Sequence, residues 1–390
     1  MQILFWILFF VLFYIYIGYG VLLLVLVKIK RRKAASANRI DSDKKAVTMV
    51  VAAWNEEDCI EDKIRNTFEL DYPEDKFKFI IITDGSTDRT VEIVKKYPEI
   101  TLLHSDERGG KSAALNRAMT HVDTPVVVFS DANALLNQQA INEIVKHYDD
   151  PSVGCVAGEK RVMSENLEGD AAGFGEGIYW KYESLLKRKD AELYSCVGAA
   201  GELFSIRTAL YQHVAPDTIL DDFVISLKVA MRGYKIAYEP NAYAKEYGSV
   251  NVIEEMKRKI RISAGGIQAM LRLSPLLNIG KYGVLSFQYV SHRLMRWTVG
   301  PVALFSLLPV NFILWQTTLS NFYGIILLLQ LTFYIFAAVG YYLGKRGRKI
   351  KAFYIPFYFL MMNYCVVKGG LQFFQGQQSV KWERSKRVSI

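Results

Sequence analysis

Cysteine is scarce in this chain and falls in no useful pattern. Cys59, Cys155, Cys196 and Cys365 are the only four in 390 residues, and their wide spacing excludes both a disulfide framework and a cysteine zinc site. Reduced thiols in a cytosolic body fit that pattern. The chain also lacks internal repeats and a Walker loop. Arg108-Gly109-Gly110-Lys111-Ser112 has its lysine after two glycines, but not at the Gly-x-x-x-x-Gly-Lys-Ser/Thr spacing. Charge is missing from two long stretches, residues 1–27 and 297–344, each exceeding the roughly 20 apolar residues that one membrane-spanning helix needs.

Both uncharged stretches end in basic clusters. Lys28, Lys30, Arg31, Arg32 and Lys33 close the first, and Lys345, Arg346, Arg348, Lys349 and Lys351 close the second. A cleaved signal peptide carries its positive charge before a shorter apolar core, so the first stretch reads as a signal anchor with its carboxyl end in the cytoplasm. The second is long enough for two spans broken near residues 316–321. A weaker segment, 353–374, contains Pro356, Lys368 and the pair Gly369-Gly370, and is expected to be a third carboxyl-terminal span. The net charge of +9 sits mostly beside these segments, so membrane topology and anionic lipid explain it without nucleic acid. The chain then divides into a membrane helix (1–28), a linker (29–45), a cytoplasmic domain (46–280), an amphipathic interfacial segment (281–297), carboxyl-terminal membrane helices (298–374) and a basic tail (375–390). The amino terminus is expected outside a plasma (inner) membrane.

Within the cytoplasmic domain, apolar runs at 47–53, 77–82, 101–104 and 126–130 read as strands buried on both faces, alternating with helical patterns. This implies an α/β, doubly wound and mainly parallel sheet. Polar loops follow each strand: Trp54-Asn55-Glu56-Glu57-Asp58, Thr83-Asp84-Gly85-Ser86-Thr87-Asp88, the Lys111 loop, and Asp131-Ala132-Asn133. The carboxyl edge of such a sheet is where ligands bind. Asp131 and Asn133 offer hard oxygens to a divalent cation, which would neutralise a diphosphate. Taken alone, each loop also reads as an Asx turn or a capped helix entrance. Their recurrence after successive strands is the informative feature.

Further on, 153–157 reads as another strand. A helix from about residue 175 carries Trp180, Tyr182 and Glu183 as a packed aromatic face or a sugar platform. Gly198-Ala199-Ala200-Gly201-Glu202 forms a small-residue loop before a strand at 203–206. Asp221 and Asp222 precede an amphipathic helix, where carboxylates serve as caps or as acid–base groups.

This order of loops resembles the family 2 inverting glycosyltransferases, in particular the membrane-embedded branch of chitin-oligosaccharide, hyaluronan, poly-N-acetylglucosamine and cellulose synthases. The resemblance implies a GT-A-like fold, a UDP-sugar donor, a carbohydrate or lipid-linked acceptor, and Mg²⁺ or Mn²⁺. By it, Ala53, Asn55, Glu56, Asp84, Lys111 and Asp131 contact the donor, Asp131 and Asn133 hold the metal, and Asp222 is the general base with Asp221 beside it. Gly201, Glu202 and Trp180 are expected on the acceptor side. The family's metal motif usually has an acid where Asn133 stands. Arg258 and Arg261 match the basic positions of the synthases' Gln/Arg-x-x-Arg-Trp motif and are expected at the diphosphate, but Ile262 replaces its tryptophan. The segment His292-Arg293-Leu294-Met295-Arg296-Trp297 reads instead as an anchor at the membrane interface. Two other functions fit the same residues: a nonprocessive enzyme adding one sugar to a lipid, and a noncatalytic membrane subunit that keeps the nucleotide pocket.

Overall fold

The computed structural model describes residues 1–31, 44–163, 171–248, 251–346, 348 and 350–377. Most of the expected linker and the end of the basic tail lie outside these residues.

The chain begins with α1 (Gln2–Phe13), passes through a π-helical turn at Tyr14–Gly18 and continues as α2 (Tyr19–Arg31). The polar body then alternates β1 (Val47–Ala53), α3 (Ile60–Phe68), β2 (Phe77–Asp84), α4 (Thr90–Val94), β3 (Thr101–Ser105), α5 (Lys111–Met119) and β4 (Val126–Asp131). After the short β5 (Leu135–Leu136) and α6 (Ala140–Val145) come β6 (Val153–Met163), α7 (Ala171–Leu193), β7 (Phe204–Arg207), α8 (Asp221–Met231), β8 (Lys235–Tyr247) and α9 (Val252–Arg272).

The strands form one sheet in the order β3-β2-β1-β4-β7-β6-β8-β5. Its first four strands are parallel neighbours, whereas β7 runs antiparallel to both β4 and β6. The switch at β4/β7 makes the sheet mixed. Every residue of β1 is buried, because helices cover both faces. Val50 and Ala52 join a cluster with α5 and α8, while Met49 and Val51 join one with α3 and α6. This two-residue alternation is strand geometry, and each fully buried Val or Ile adds about 1.5–3 kcal/mol of apolar burial.

Near the carboxyl end, α10 (Ile279–Tyr282), α11 (Val284–Tyr289), a π-turn at Val290–Leu294 and α12 (Met295–Trp297) lead into α13 (Val299–Thr318), α14 (Asn321–Lys345) and α15 (Lys351–Phe374). Among the described residues, the segments Gln2–Lys30, Val299–Thr318 and Asn321–Lys345 are long and apolar enough to cross a membrane. The expected third carboxyl-terminal span corresponds to α15, which is not among them. Its Gly369 lies so close to α9 that a Cβ there would stand 2.4 Å from the Ile260 carbonyl oxygen. α15 therefore packs along a helix of the polar body as well as against α14.

In the segment 292–297, expected as an interfacial anchor, His292 and Arg296 are buried against Glu183 and Asp190 of α7.

Candidate functional site

The carboxyl edge of the parallel strands carries a compact polar cluster. Register puts Ala52 beside Asp131 and Ala53 beside Thr83, so β1, β2 and β4 end level with one another. Asp84 closes β2 and is buried, where its carboxylate accepts the backbone N–H groups of Gly109 (3.1 Å) and Gly110 (2.7 Å). Gly110, at φ +91°, adopts a conformation that favours glycine, and the turn it makes starts α5 with Lys111 in its first turn.

From that position the Lys111 Nζ reaches Asp131 Oδ1 at 2.7 Å and Asp221 Oδ2 at 3.8 Å. Burial works against the ammonium, but Asp131 and Asp221 outweigh it and raise the lysine's pKa. Gly201 faces the same pair: a Cβ there would lie 3.3 Å from Lys111 Nζ and 3.5 Å from both Asp131 carboxylate oxygens. A side chain would crowd the space beside them.

Asp221 and Asp222 open α8 as expected. Burial raises the pKa of Asp222 to about 7, reinforced by the neighbouring Asp221. Asp221 is also raised by burial, against the pull of Lys111. The acid pair is tied to the 198–202 loop: Ser226 Oγ donates to the Asp222 carbonyl at 2.7 Å and accepts the Ala199 N–H at 2.9 Å. One ammonium thus stands between a β4 carboxylate and an acid pair whose proton affinity is high, an arrangement suited to cation binding and proton transfer.

Asn55 and Glu56 form the adjoining wall by bridging two loops. Asn55, at φ +53°, accepts the Thr87 N–H at 2.8 Å, and the Glu56 N–H donates to Thr90 Oγ1 at 2.9 Å. Sequence reasoning missed the lid on this wall. The Arg108 guanidinium lies 3.4 Å from the centre of the Trp54 ring, and a Cβ on Gly85 would meet Arg108 Cβ at 2.9 Å. It also missed Lys63, which is fully buried beneath β4 and donates to Ser130 Oγ (2.7 Å) and the Ala134 carbonyl (2.5 Å). A lysine on the apolar stripe of Ile60 and Ile64 was the available signal.

Other expected site residues gather in a second cluster around Lys160. Its ammonium pairs with both Glu202 and Glu246. Burial favours the neutral Glu202 acid, yet Lys160 overrides this and lowers its pKa. Arg258 is engaged by Glu255 at 3.3 Å and lies 3.9 Å from Glu246. Arg261 instead acts on Asp221, lowering its carboxyl. Trp180 has the ammoniums of Lys160, Lys259 and Lys187 over its ring at 5.4, 5.5 and 6.0 Å. It borders a cavity of ≈ 440 Å³ shared with Arg161, Arg188 and Tyr238.

Asn133, expected as the metal's second ligand, donates its amide to Glu246 at 3.2 Å. Among the described residues, no group of three or more His, Cys, Asp or Glu side chains converges on a metal position. Asp131 and the Asn133 side-chain carbonyl are hard oxygen donors of the kind a divalent cation takes, and a cation there would need further oxygen ligands from outside this pair.

These features place a compact polar cluster at the carboxyl edge of a mixed, mainly parallel sheet. Residues 48–213 match the model of glycosyl transferase family 2. The chain's sequence likeness lies with the polymer-synthase branch. Over 236 residues it is 28% identical to a poly-beta-1,6-N-acetyl-D-glucosamine synthase of Staphylococcus aureus (strain MSSA476), covering 58% of this chain and 56% of the relative. The Staphylococcus epidermidis enzyme of the same name is 25% identical over the same length. The chain spans about half the length of the curated relatives it matches. Among solved structures, the mannosyltransferase PcManGT from Pyrobaculum calidifontis, in complex with GDP-Man and Mn²⁺, superposes with TM-score 0.71 over 96% of this chain and 99% of its own. At 22% identity that is a likeness of fold.

Proposed function

We propose that this protein is a membrane-bound inverting glycosyltransferase that moves a sugar from a UDP-sugar onto a growing β-linked polysaccharide. The observation that carries the reading is Asp222, a half-buried carboxylate with its pKa raised to about 7, on the same polar edge as the Lys111–Asp131 pair. A general base near neutral pKa takes a proton efficiently at working pH. Asp222 accepts the proton of the acceptor hydroxyl while that oxygen bonds to the sugar's anomeric carbon and the bond to the nucleoside diphosphate breaks on the opposite face. Lys111 and Arg261 supply fixed positive charge for the departing diphosphate. Mg²⁺ or Mn²⁺ at Asp131, with Asn133, would add further charge neutralisation when bound. Asp84 holds the Lys111 loop, and Asn55, Glu56 and Ala53 shape the nucleotide wall. The 201–202 loop and Trp180 line the acceptor side.

Ile262 favours a second reading, a single sugar addition to a lipid acceptor, because the stacking indole of the polymer synthases is absent at that position. The deciding experiment is nucleoside diphosphate release by the purified protein with a panel of UDP-sugars and GDP-mannose, followed by mass analysis of products. Polymer ladders support the first reading, and one-sugar lipid products replace it with the second. No release with any donor removes both.

For topology, we propose the amino terminus outside a plasma membrane, the body in the cytoplasm, and α15 as the third carboxyl-terminal crossing, with Asn363 buried by protein and the exposed Lys368 near enough to the helix end to reach the interface. A cysteine introduced at position 389 that reacts with an impermeant thiol reagent on intact cells supports this. Labelling only after permeabilisation overturns the third crossing.

A further inference from the structure

A second charged cluster lies at the junction of the body with the membrane helices, away from the donor edge. Glu183 of α7 receives Arg293 at 2.7 Å, Arg296 at 2.9 Å and His292 at 3.4 Å. About two turns further on, Asp190 receives His292 Nδ1 at 2.5 Å, the Gln288 amide at 3.1 Å and the Tyr19 hydroxyl of the first membrane segment. Burial alone would push Glu183 toward its neutral form, but the two arginines and the histidine hold its carboxyl well below the usual range. Arg293 also donates to the Val197 carbonyl at 3.3 Å, the residue that enters the 198–202 loop.

The last residue of this segment, Trp297, is turned toward the acid pair. Its ring centre lies 5.5 Å from that of Phe223, the neighbour of Asp222, and the Arg293 guanidinium sits 5.9 Å above it. The contact is shaped by two glycines. A Cβ on Gly266 of α9 would strike the indole at 2.6 Å, and a Cβ on Gly198 would strike the Phe223 ring at 2.3 Å. The indole therefore fills a slot that α9 leaves open, one turn beyond Ile262, and presses on the first turn of α8.

We propose that Trp297 is a positioning residue for the acid pair: the junction cluster on Glu183 and Asp190 fixes the indole, and the indole fixes the first turn of α8 through Phe223, so seating of the amino-terminal membrane helix is mechanically linked to the base. The kinetic part of this rests on the reading of Asp222 as that base.

The test uses the full chain in detergent micelles, with hydrogen exchange and turnover measured side by side. In Trp297→Ala, the amides of residues 221–226 exchange about tenfold faster or more while those of β1 and β4 are unchanged. Turnover falls about tenfold with the donor KM within about twofold. Trp297→Phe, which keeps a ring, recovers most of both. Unchanged exchange at 221–226, or equal acceleration in β1 and β4, overturns the inference. If Trp297→Ala yields no folded protein, Trp297→Phe decides by the same window: a partial rise confined to 221–226 supports it and none overturns it. Absence of transfer by the unmodified protein would instead remove the glycosyltransferase reading, with the exchange result deciding this one independently.

Discussion

The donor edge and the membrane junction are built from the same materials and finished differently. Both bury aspartates or glutamates beside cations. At the junction each carboxylate is met by several donors, so Glu183 is held ionised. At the donor edge, Lys111 is shared between Asp131 and Asp221, and burial leaves Asp222 with a pKa of about 7. A cluster whose charges are matched is a fixture. One whose carboxylates outnumber their cations retains proton affinity and room for a cationic or anionic partner.

The contrast can be broken most forcefully at the junction. Glu183→Ala leaves Arg293 and Arg296 buried without their carboxylate, and unmatched buried charge of this kind costs about 3–5 kcal/mol. Denaturant unfolding of the solubilised protein is expected to show that loss, and an unchanged midpoint would mean that water already screens the pair.

Asp222→Asn is expected to do the reverse. Turnover falls on the order of 10²-fold or more, donor binding persists, and the fold is not weakened. The pH dependence sharpens this point. Because the folded pKa lies near 7 and an unperturbed aspartate near about 3.9, the folded state binds the proton more tightly. The contribution of Asp222 to stability is thus full below the unfolded value and lost as pH rises through about 7. The amide removes that loss, so the variant's unfolding midpoint should match or exceed the parent's at pH 8. Activity follows the opposite slope, since the base must be ionised: kcat should fall with decreasing pH below about 7. A flat profile from pH 5.5 to 8 would assign the base elsewhere, first to Asp221.

A smaller effect is expected of Asp131→Ala. Half-saturation for the divalent cation in nucleoside diphosphate release should rise on the order of tenfold, because one hard anionic ligand is gone. Superimposable metal titrations would make Asp131 only the partner of Lys111. The smallest effect belongs to Lys78→Met, which breaks the exposed pair with Asp123. Exposed pairs contribute little, so neither unfolding nor turnover should move.

By itself the sequence determined the parallel half of the sheet. The runs at 47–53 and 126–130 are strands because no charge interrupts them, and the polar residues that follow them fall on one edge because parallel strands point the same way. Asp84 and Asp131 were legible at strand ends for that reason, whereas Lys111, Asp221 and Asp222 stood out as charged residues at helix starts. The ends of β2, β4 and β6 extend past the predicted runs, since ladder hydrogen bonds continue into polar residues whenever a neighbour offers a partner.

Tertiary structure alone decided where the remaining charges go. Arg258 matches a motif yet is drawn to Glu255 and Glu246, and Asn133 is taken up by a glutamate 113 residues away. Arg293, Arg296 and Trp297 carry the composition of an interfacial anchor, but α7 brings Glu183 to both arginines. Local sequence encodes hydrophobic period and turn chemistry, whereas the pairing of long charged side chains depends on which distant element arrives beside them.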